Sequence, residues 1–350
     1  MTTLEAMDAA RRGLAENVDA FVGLATRSVN SGVVALRREL LGQRFIERRV
    51  HDYRLLLDSL DPGVCRQLLE RGTREPEQKW LLDHVLEPGM TAFDLGANAG
   101  YYTVMMAKQV SNEGCVYAVE PVLQSFSLLE RNVRLNGLGN VRLEQVAITE
   151  EDGVRDLLLT EKSNWHSFQK PELAVRAPWC QTYARRIVDS IPVRTRSLAS
   201  FLAEKRPVDL LRMDIEGFET VILEAICDLP AALTTRMHIL METHPEFYSA
   251  GNDMRGVLTQ LCREKDYCVR YLVSDFHFRS RRHAPMELGA RVFRRRGYDE
   301  RCIVRQFRNR AIYADVELED AIDLIGTSEC VHAVLLAPAV MGHIASDDEP

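Results

Sequence analysis

Hydrophobic positions along the chain follow one period up to about residue 87 and another after it. Over residues 1–87 the spacing is helical, with no run that alternates convincingly as a strand. Asp61-Pro62 opens a short helix and Gly72 closes it. Pro76 suits the first turn of another, EPEQKWLLDHVL, whose Trp80, Leu81, His84 and Val85 share one face before Pro88-Gly89. From residue 90, short apolar runs alternate with helical ones: TAFDLG, a helix from Tyr101, CVYAVE, a helix from Val122 to Asn136, then VRLEQVAI. After an irregular stretch of about 60 residues the rhythm resumes with DLLRMDIE, a helix from Phe218 to Cys227, RMHILMET, a helix near Asn252 to Glu264, CVRYLV and finally VHAVLLAP. This pattern predicts an α/β fold, an open sheet of about seven strands with helices on both faces. The expected organisation is a helical extension over 1–87 and one domain over 88–350, with insertions at about 150–207 and 274–330.

Open sheets of this kind bind ligands outside the carboxyl ends of their strands. Asp94, Glu120, Asp214 and Glu242 all end their apolar runs, so they are expected to converge. The stretch FDLGANAGYY sets Asp94 ahead of a glycine turn, Gly96-Ala97-Asn98-Ala99-Gly100, that lacks the middle glycine of a dinucleotide fingerprint. A carboxylate there repels a pyrophosphate but attracts the ammonium and sulfonium of S-adenosylmethionine. Glu120 is placed to accept hydrogen bonds from ribose hydroxyls; NAD would use it equally well. Ala147, in the third run, completes the cofactor set with Asp94, Gly96, Asn98, Gly100 and Glu120.

Composition, 46% hydrophobic and 27% charged, is that of a globular protein. The net charge of −7 disfavours nucleic acid as a partner. Eight cysteines without a CxxC pair suggest reduced thiols. The N-terminus lacks a continuous apolar core, so neither a secretory signal nor a membrane span is expected, and the protein reads as cytoplasmic. Residues 279–310 hold eleven arginines against three acids, which suits an anionic acceptor, an intersubunit contact or a solvated face. A homo-oligomer could form through this segment or the helical extension.

Together FDLGANAGYYTV, VYAVEP, LLRMDIEGFETVILEAI and ILMETHPEFY resemble the FkbM-type S-adenosylmethionine-dependent O-methyltransferases, over roughly residues 76–250. The resemblance implies a class I, Rossmann-like methyltransferase fold and S-adenosylmethionine as cofactor. It assigns Asp94, Gly96, Asn98, Gly100 and Glu120 to the cofactor, and Asp214, Glu216 and Gly217 to the active site. Two departures stand out. Arg212 replaces the family's usual lysine, and Leu198-Ala199-Ser200 stands where an L-D-D element is usual.

Methyl transfer is an in-line displacement, and an alcohol nucleophile gains from a base. Asp214 and Glu216, at alternate positions, would share a face of a regular strand, and Glu242 and His244 repeat the arrangement. His244 is the natural general base. These four groups could instead gather a divalent metal, but no helix-spaced ligand pair or recognisable loop supports one, and no metal set is expected. Trp165 and His166, in SNWHSF, suit the apolar face of a sugar or ring. The expected function is O-methylation of a hydroxyl on a small molecule or glycan. The alternatives are an NAD-dependent dehydrogenase of the same topology, or a non-catalytic cofactor-binding scaffold acting through the arginine-rich face.

Overall fold

The computed structural model of the protein describes residues 26–169, 187–274, 288–307, 310–327 and 331–339. The chain divides into two compact units between Arg74 and Glu75. In the first, helix α1 (26–41) precedes an antiparallel hairpin, β1 (Phe45–Val50) and β2 (Tyr53–Asp58), and helix α2 (Val64–Arg71). The hairpin corrects the expectation of an extension without strands. Its signal is an alternation of buried Tyr53, Leu55 and Leu57 with less buried neighbours, lasting only six residues. The turn between the strands has no glycine; His51 itself takes the left-handed φ of 54°. Asp61 opens α2 by accepting the Gly63 and Cys65 N–H groups, and Gly72, at φ 74°, closes it.

The second unit runs α3 (Pro76–Val85), β3 (Thr91–Leu95), α4 (Tyr101–Gln109), β4 (Cys115–Val119), α5 (Leu123–Leu135), β5 (Val141–Glu144), β6 (Ala147–Thr149) and β7 (Gly153–Thr160). It continues with β8 (Ile187–Ser197), α6 (Leu198–Leu202), β9 (Leu210–Met213), α7 (Glu219–Asp228), α8 (Ala231–Thr234), β10 (His238–Glu242), α9 (Met254–Glu264) and β11 (Tyr267–Ser274). α10 (Leu288–Arg295), β12 (Ile303–Gln306), β13 (Ala311–Tyr313), α11 (Leu318–Thr327) and β14 (Val331–Pro338) complete it.

The large sheet has the order β12-β13-β11-β14-β10-β9-β3-β4-β5. Its seven central strands are the seven apolar runs of the sequence, with β14 antiparallel between β10 and β11. The insertion after β11 adds β12 and β13 at the edge, making nine strands among the described residues. The run VRLEQVAI breaks at Gln145: Val141–Glu144 stays in the large sheet, while Ala147–Thr149 joins a three-stranded sheet, β6-β8-β7. The stretch read as irregular therefore holds a β-ribbon, β7 paired antiparallel with β8, with residues 170–186 outside the described set.

From β3 the chain builds outward through β4 and β5 on one side and, later, through β9 and β10 on the other. That reversal opens a crevice at the carboxyl ends of β3 and β9, which is where this topology places a ligand. Phe93, Leu95, Leu211 and Met213 pack into one core cluster with Ile222 and Ile226 of α7 and Leu258 and Leu261 of α9. Full burial of each such side chain contributes about 1.5–3 kcal/mol. Asp94 and Arg212 lie out of phase with these and point to the opposite face, against α4.

Candidate active site

The turn after β3 requires glycine at two places. Gly96 and Gly100 have φ of 82° and 88°. A Cβ on Gly96 would lie 2.2 Å from the Asp214 carbonyl oxygen, and one on Gly100 2.7 Å from Leu129 Cδ1. Asn98, at φ 49°, accepts the Ala99 N–H on its own side chain at 2.8 Å and donates from Nδ2 to Ser163 Oγ at 3.1 Å. Glu120 follows β4 directly. Its Oε2 accepts the Asn98 N–H and its Oε1 the Val122 N–H, both at 2.9 Å. Each oxygen keeps a second acceptor direction, so the residue fits a ribose while it shapes the turn.

Burial pushes the Glu120 carboxyl up to about 7, against the pull of the two N–H groups. A folded-state pKa raised from 4.5 contributes stability that is present below pH 4.5 and lost as pH climbs through about 7. Relative to Glu120→Gln, the wild-type protein is expected to lose up to about 3 kcal/mol over that interval. Urea unfolding at about pH 5 and about pH 8 checks this, and a stability difference that does not change with pH would refute it.

Asp94 is not at the mouth of the turn. It is fully buried, takes the Thr103 hydroxyl at 2.6 Å and pairs with Arg212 Nη1 at 3.1 Å. The cation it attracts is the protein's own. Burial raises its pKa, and Arg212 and Thr103 oppose that. Arg212, 2% exposed, reaches Asp214 Oδ2 at 3.1 Å with its other terminal nitrogen and stacks 4.0 Å over the Tyr102 ring. Desolvation works against the guanidinium, but Asp94 and Asp214 hold its pKa above the usual range.

β9 ends at Met213, so Asp214 and Glu216 do not share a strand face. Glu216 takes φ 46° and Gly217 φ 89°, a kink that is closed by the Ser167 hydroxyl donating to the Glu216 carbonyl at 2.7 Å. The kink brings both acids to His244, past the end of β10. His244 Nε2 lies 3.8 Å from Asp214 Oδ1 and 3.6 Å from Glu216 Oε2, and Nδ1 lies 2.7 Å from Glu219 Oε1. Burial drives the Glu216 carboxyl up to about 8, opposed by His244. Burial alone would lower His244, but Glu216 and Glu219 hold it well above its ordinary value.

Glu242 joins a different group. Its Oε1 lies 3.6 Å from His332 Nδ1, while Glu75 Oε1 lies 3.8 Å from His332 Nε2. Tyr102 donates to Glu75 at 2.5 Å, and Gln78 bridges the two glutamates. Asp94 and Asp214 are thus joined through Arg212, whereas Glu242 is drawn toward α3 and β14.

Trp165 ends a short 3-10 turn, with Lys162 Nζ 3.5 Å from its ring centroid. His166 accepts the Thr160 N–H on Nδ1 at 3.1 Å. Both sit on a segment tied at Ser163 to Asn98 and at Ser167 to Glu216, so it spans from the glycine turn to the acid cluster. Ala147 is buried in a small apolar cluster with Val122, Leu157 and Val193 and makes no side-chain polar contact. In the arginine-rich stretch, Arg296 pairs with Asp320 and Asp323, Arg301 with Asp299, and Arg310 with Glu77. Residues 275–287 and 308–309 lie outside the described set.

Residues 94–269 match the model of the methyltransferase FkbM domain, half of the chain. The chain belongs to the FkbM methyltransferase family. It is 25% identical over 144 residues to "Methyltransferase 1" of Beauveria bassiana, covering 39% of this chain and 57% of that protein. Over 72 residues it is 36% identical to the protein-L-isoaspartate O-methyltransferase of Caenorhabditis elegans, covering 21% of this chain and 32% of the other. The matches thus span less than two thirds of these relatives. Among solved structures, the S-adenosylmethionine-dependent O-methyltransferase of Thermotoga maritima aligns with a TM-score of 0.36 at 12% identity, over 84% of this chain and 85% of that one.

The fold is that of class I methyltransferases, and S-adenosylmethionine is the cofactor of this FkbM chain. The glycine turn and the paired acceptor oxygens of Glu120 fit it. Four contributors escape sequence reasoning: Arg212, Glu219, Glu75 and His332. Glu219 is the last acid of the D-x-E-G-x-E box, a signal present but unused. Glu75 and His332 lie 257 positions apart in the chain, and no local pattern connects them.

Proposed function

We propose that this protein transfers the methyl group of S-adenosylmethionine to a hydroxyl of a small molecule or glycan. The observation that supports this most is the convergence of Asp214, Glu216 and His244 beside the glycine turn, with the Asp214 carbonyl directly against Gly96. The bound cofactor supplies an electrophilic methyl on a positively charged sulfur. Held at the glycine turn and Glu120, the cofactor would give that methyl to the acceptor oxygen as its carbon–sulfur bond breaks and the bonding pair stays on sulfur. A neutral amine needs no base for this, whereas a hydroxyl must lose its proton, and the carboxylate–imidazole cluster beside the turn supports the reading that a base is provided. Asp214 and Glu216 hold the hydroxyl on the line of attack, and Trp165 offers an apolar face for the rest of the acceptor.

Two measurements test this. Glu216→Gln and Asp214→Asn should each lower kcat by about 10² or more while S-adenosylhomocysteine affinity stays within about twofold. A panel of hydroxyl and amine acceptors, supplied with isotopically labelled methyl donor, should return methyl ethers by NMR. Methylated amines as the sole product would sink the assignment to oxygen, and wild-type turnover in both variants would remove the cluster from the active site.

A further inference from the structure

Resting on the reading of this cluster as the acceptor site, the geometry points to a divalent cation site of the Mn²⁺ or Mg²⁺ type, formed by Asp214, Glu216 and His244. One atom from each residue, two carboxylate oxygens and an imidazole nitrogen, can be chosen so that all lie within 4.8 Å of one another. The separations from His244 Nε2, 3.6 Å to Glu216 and 3.8 Å to Asp214, are too long for hydrogen bonds. They match the edges of a coordination shell: ligands about 2.1–2.3 Å from one ion, at angles of about 90–110°, sit roughly 3.0–3.8 Å apart.

Independent contacts orient each ligand from behind. His244 presents Nε2 inward because Nδ1 is held at 2.7 Å by the fully buried Glu219, the carboxylate–histidine arrangement that fixes the tautomer of metal-ligating imidazoles. Asp214 has its other oxygen on Arg212, and Glu216 is fixed through its carbonyl by Ser167. Glu219 Oε2 has no hydrogen-bond partner among the described residues, so the carboxylate is only half satisfied by the protein.

Charge points the same way. Asp94, Asp214, Glu216 and Glu219 set four acidic groups against two basic ones, Arg212 and His244, within this set. A bound dication would offset this excess of acids and lower the pKa of an acceptor hydroxyl that coordinates it, the proton passing to water before the carbon–oxygen bond forms. Imidazole with two carboxylates suits Mn²⁺ and tolerates Mg²⁺.

Mn²⁺ electron paramagnetic resonance, on the intact 350-residue chain stripped with a chelator, reads the site without any acceptor. One Mn²⁺ per chain is expected in the wild type. Binding should be lost in His244→Gln and Glu216→Gln, and weakened roughly 10- to 100-fold in Glu219→Gln, which removes only the orienting charge. S-adenosylhomocysteine affinity, unchanged in all three, confirms that they fold. Absence of Mn²⁺ binding to the wild type at millimolar concentration, or equal binding by the wild type and both ligand variants, would overturn the site. The two readings fail separately: chelator-resistant O-methylation without bound Mn²⁺ removes the cation and keeps the proposed function, while one bound Mn²⁺ with methylation only on nitrogen does the reverse.

Discussion

Arg212→Met should cost about 3–5 kcal/mol of stability, because it removes the guanidinium that pairs with both Asp94 and Asp214 and leaves the buried Asp94 without a cation among the described residues. Asp94 is fully buried and Asp214 nearly so, each 3.1 Å from a different terminal nitrogen of the same side chain. Methionine fills much of the volume but leaves Asp94 with the Thr103 hydroxyl, a single neutral donor, and removes the group stacked on Tyr102. The deficit should depend on pH with a definite sign. Burial already raises the Asp94 pKa, and loss of Arg212 raises it further. A carboxyl with a raised folded-state pKa contributes stability that is present at low pH and lost as pH rises, so the variant should recover toward about pH 4 and fall furthest behind near neutrality. Arg212→Lys should lose less overall, since a point charge can satisfy only one of the two acids well. Urea denaturation across that pH range is the measurement. A loss below about 1 kcal/mol near pH 7 would show that the Asp94–Arg212–Asp214 chain is not needed to hold β3 and β9 together at the crevice.

Gly96→Ala should damage both stability and cofactor binding, with a combined loss on the order of 2–4 kcal/mol. Two penalties coincide there. The backbone sits at φ 82°, where an L-residue is strained, and the new methyl would lie 2.2 Å from the Asp214 carbonyl oxygen, a backbone atom with no rotamer to escape into. The Asp214 main chain must move, and with it the acid that Arg212 and His244 both meet. Gly137→Ala provides the comparison, since Gly137 has φ of 64° but nothing within 4 Å of an added Cβ. That variant should show only the conformational penalty, roughly 1–2 kcal/mol, with S-adenosylhomocysteine affinity intact. Calorimetric titration of both variants decides the matter: equal affinities would mean that the close approach of Gly96 to Asp214 has no part in forming the pocket.

Period and punctuation alone determined the seven central strands, the helices between them and the glycine turn, because each depends on residues a few positions apart. The alternation of TAFDLG with helical spacing from Tyr101 is local chemistry, and so are the left-handed glycines at 96 and 100. Short-range signals were weaker where the ribbon β1–β2 and the split of VRLEQVAI occur, since six residues or fewer of alternation compete with helical spacing nearby. Only the tertiary structure decided what the charged residues do. Asp94 reads from sequence as an attractor for a cationic ligand, yet it spends its charge on Arg212, 118 positions away. Glu242 reads as a partner of His244 and is drawn instead to His332 and Glu75. Glu219 looks like an ordinary first-turn acid of α7 and becomes the group that orients His244. Charge pairing acts through space over a few ångströms, and which carboxylate meets which cation depends on strand order and on the left-handed kink at Glu216, neither of which leaves a period in the chain.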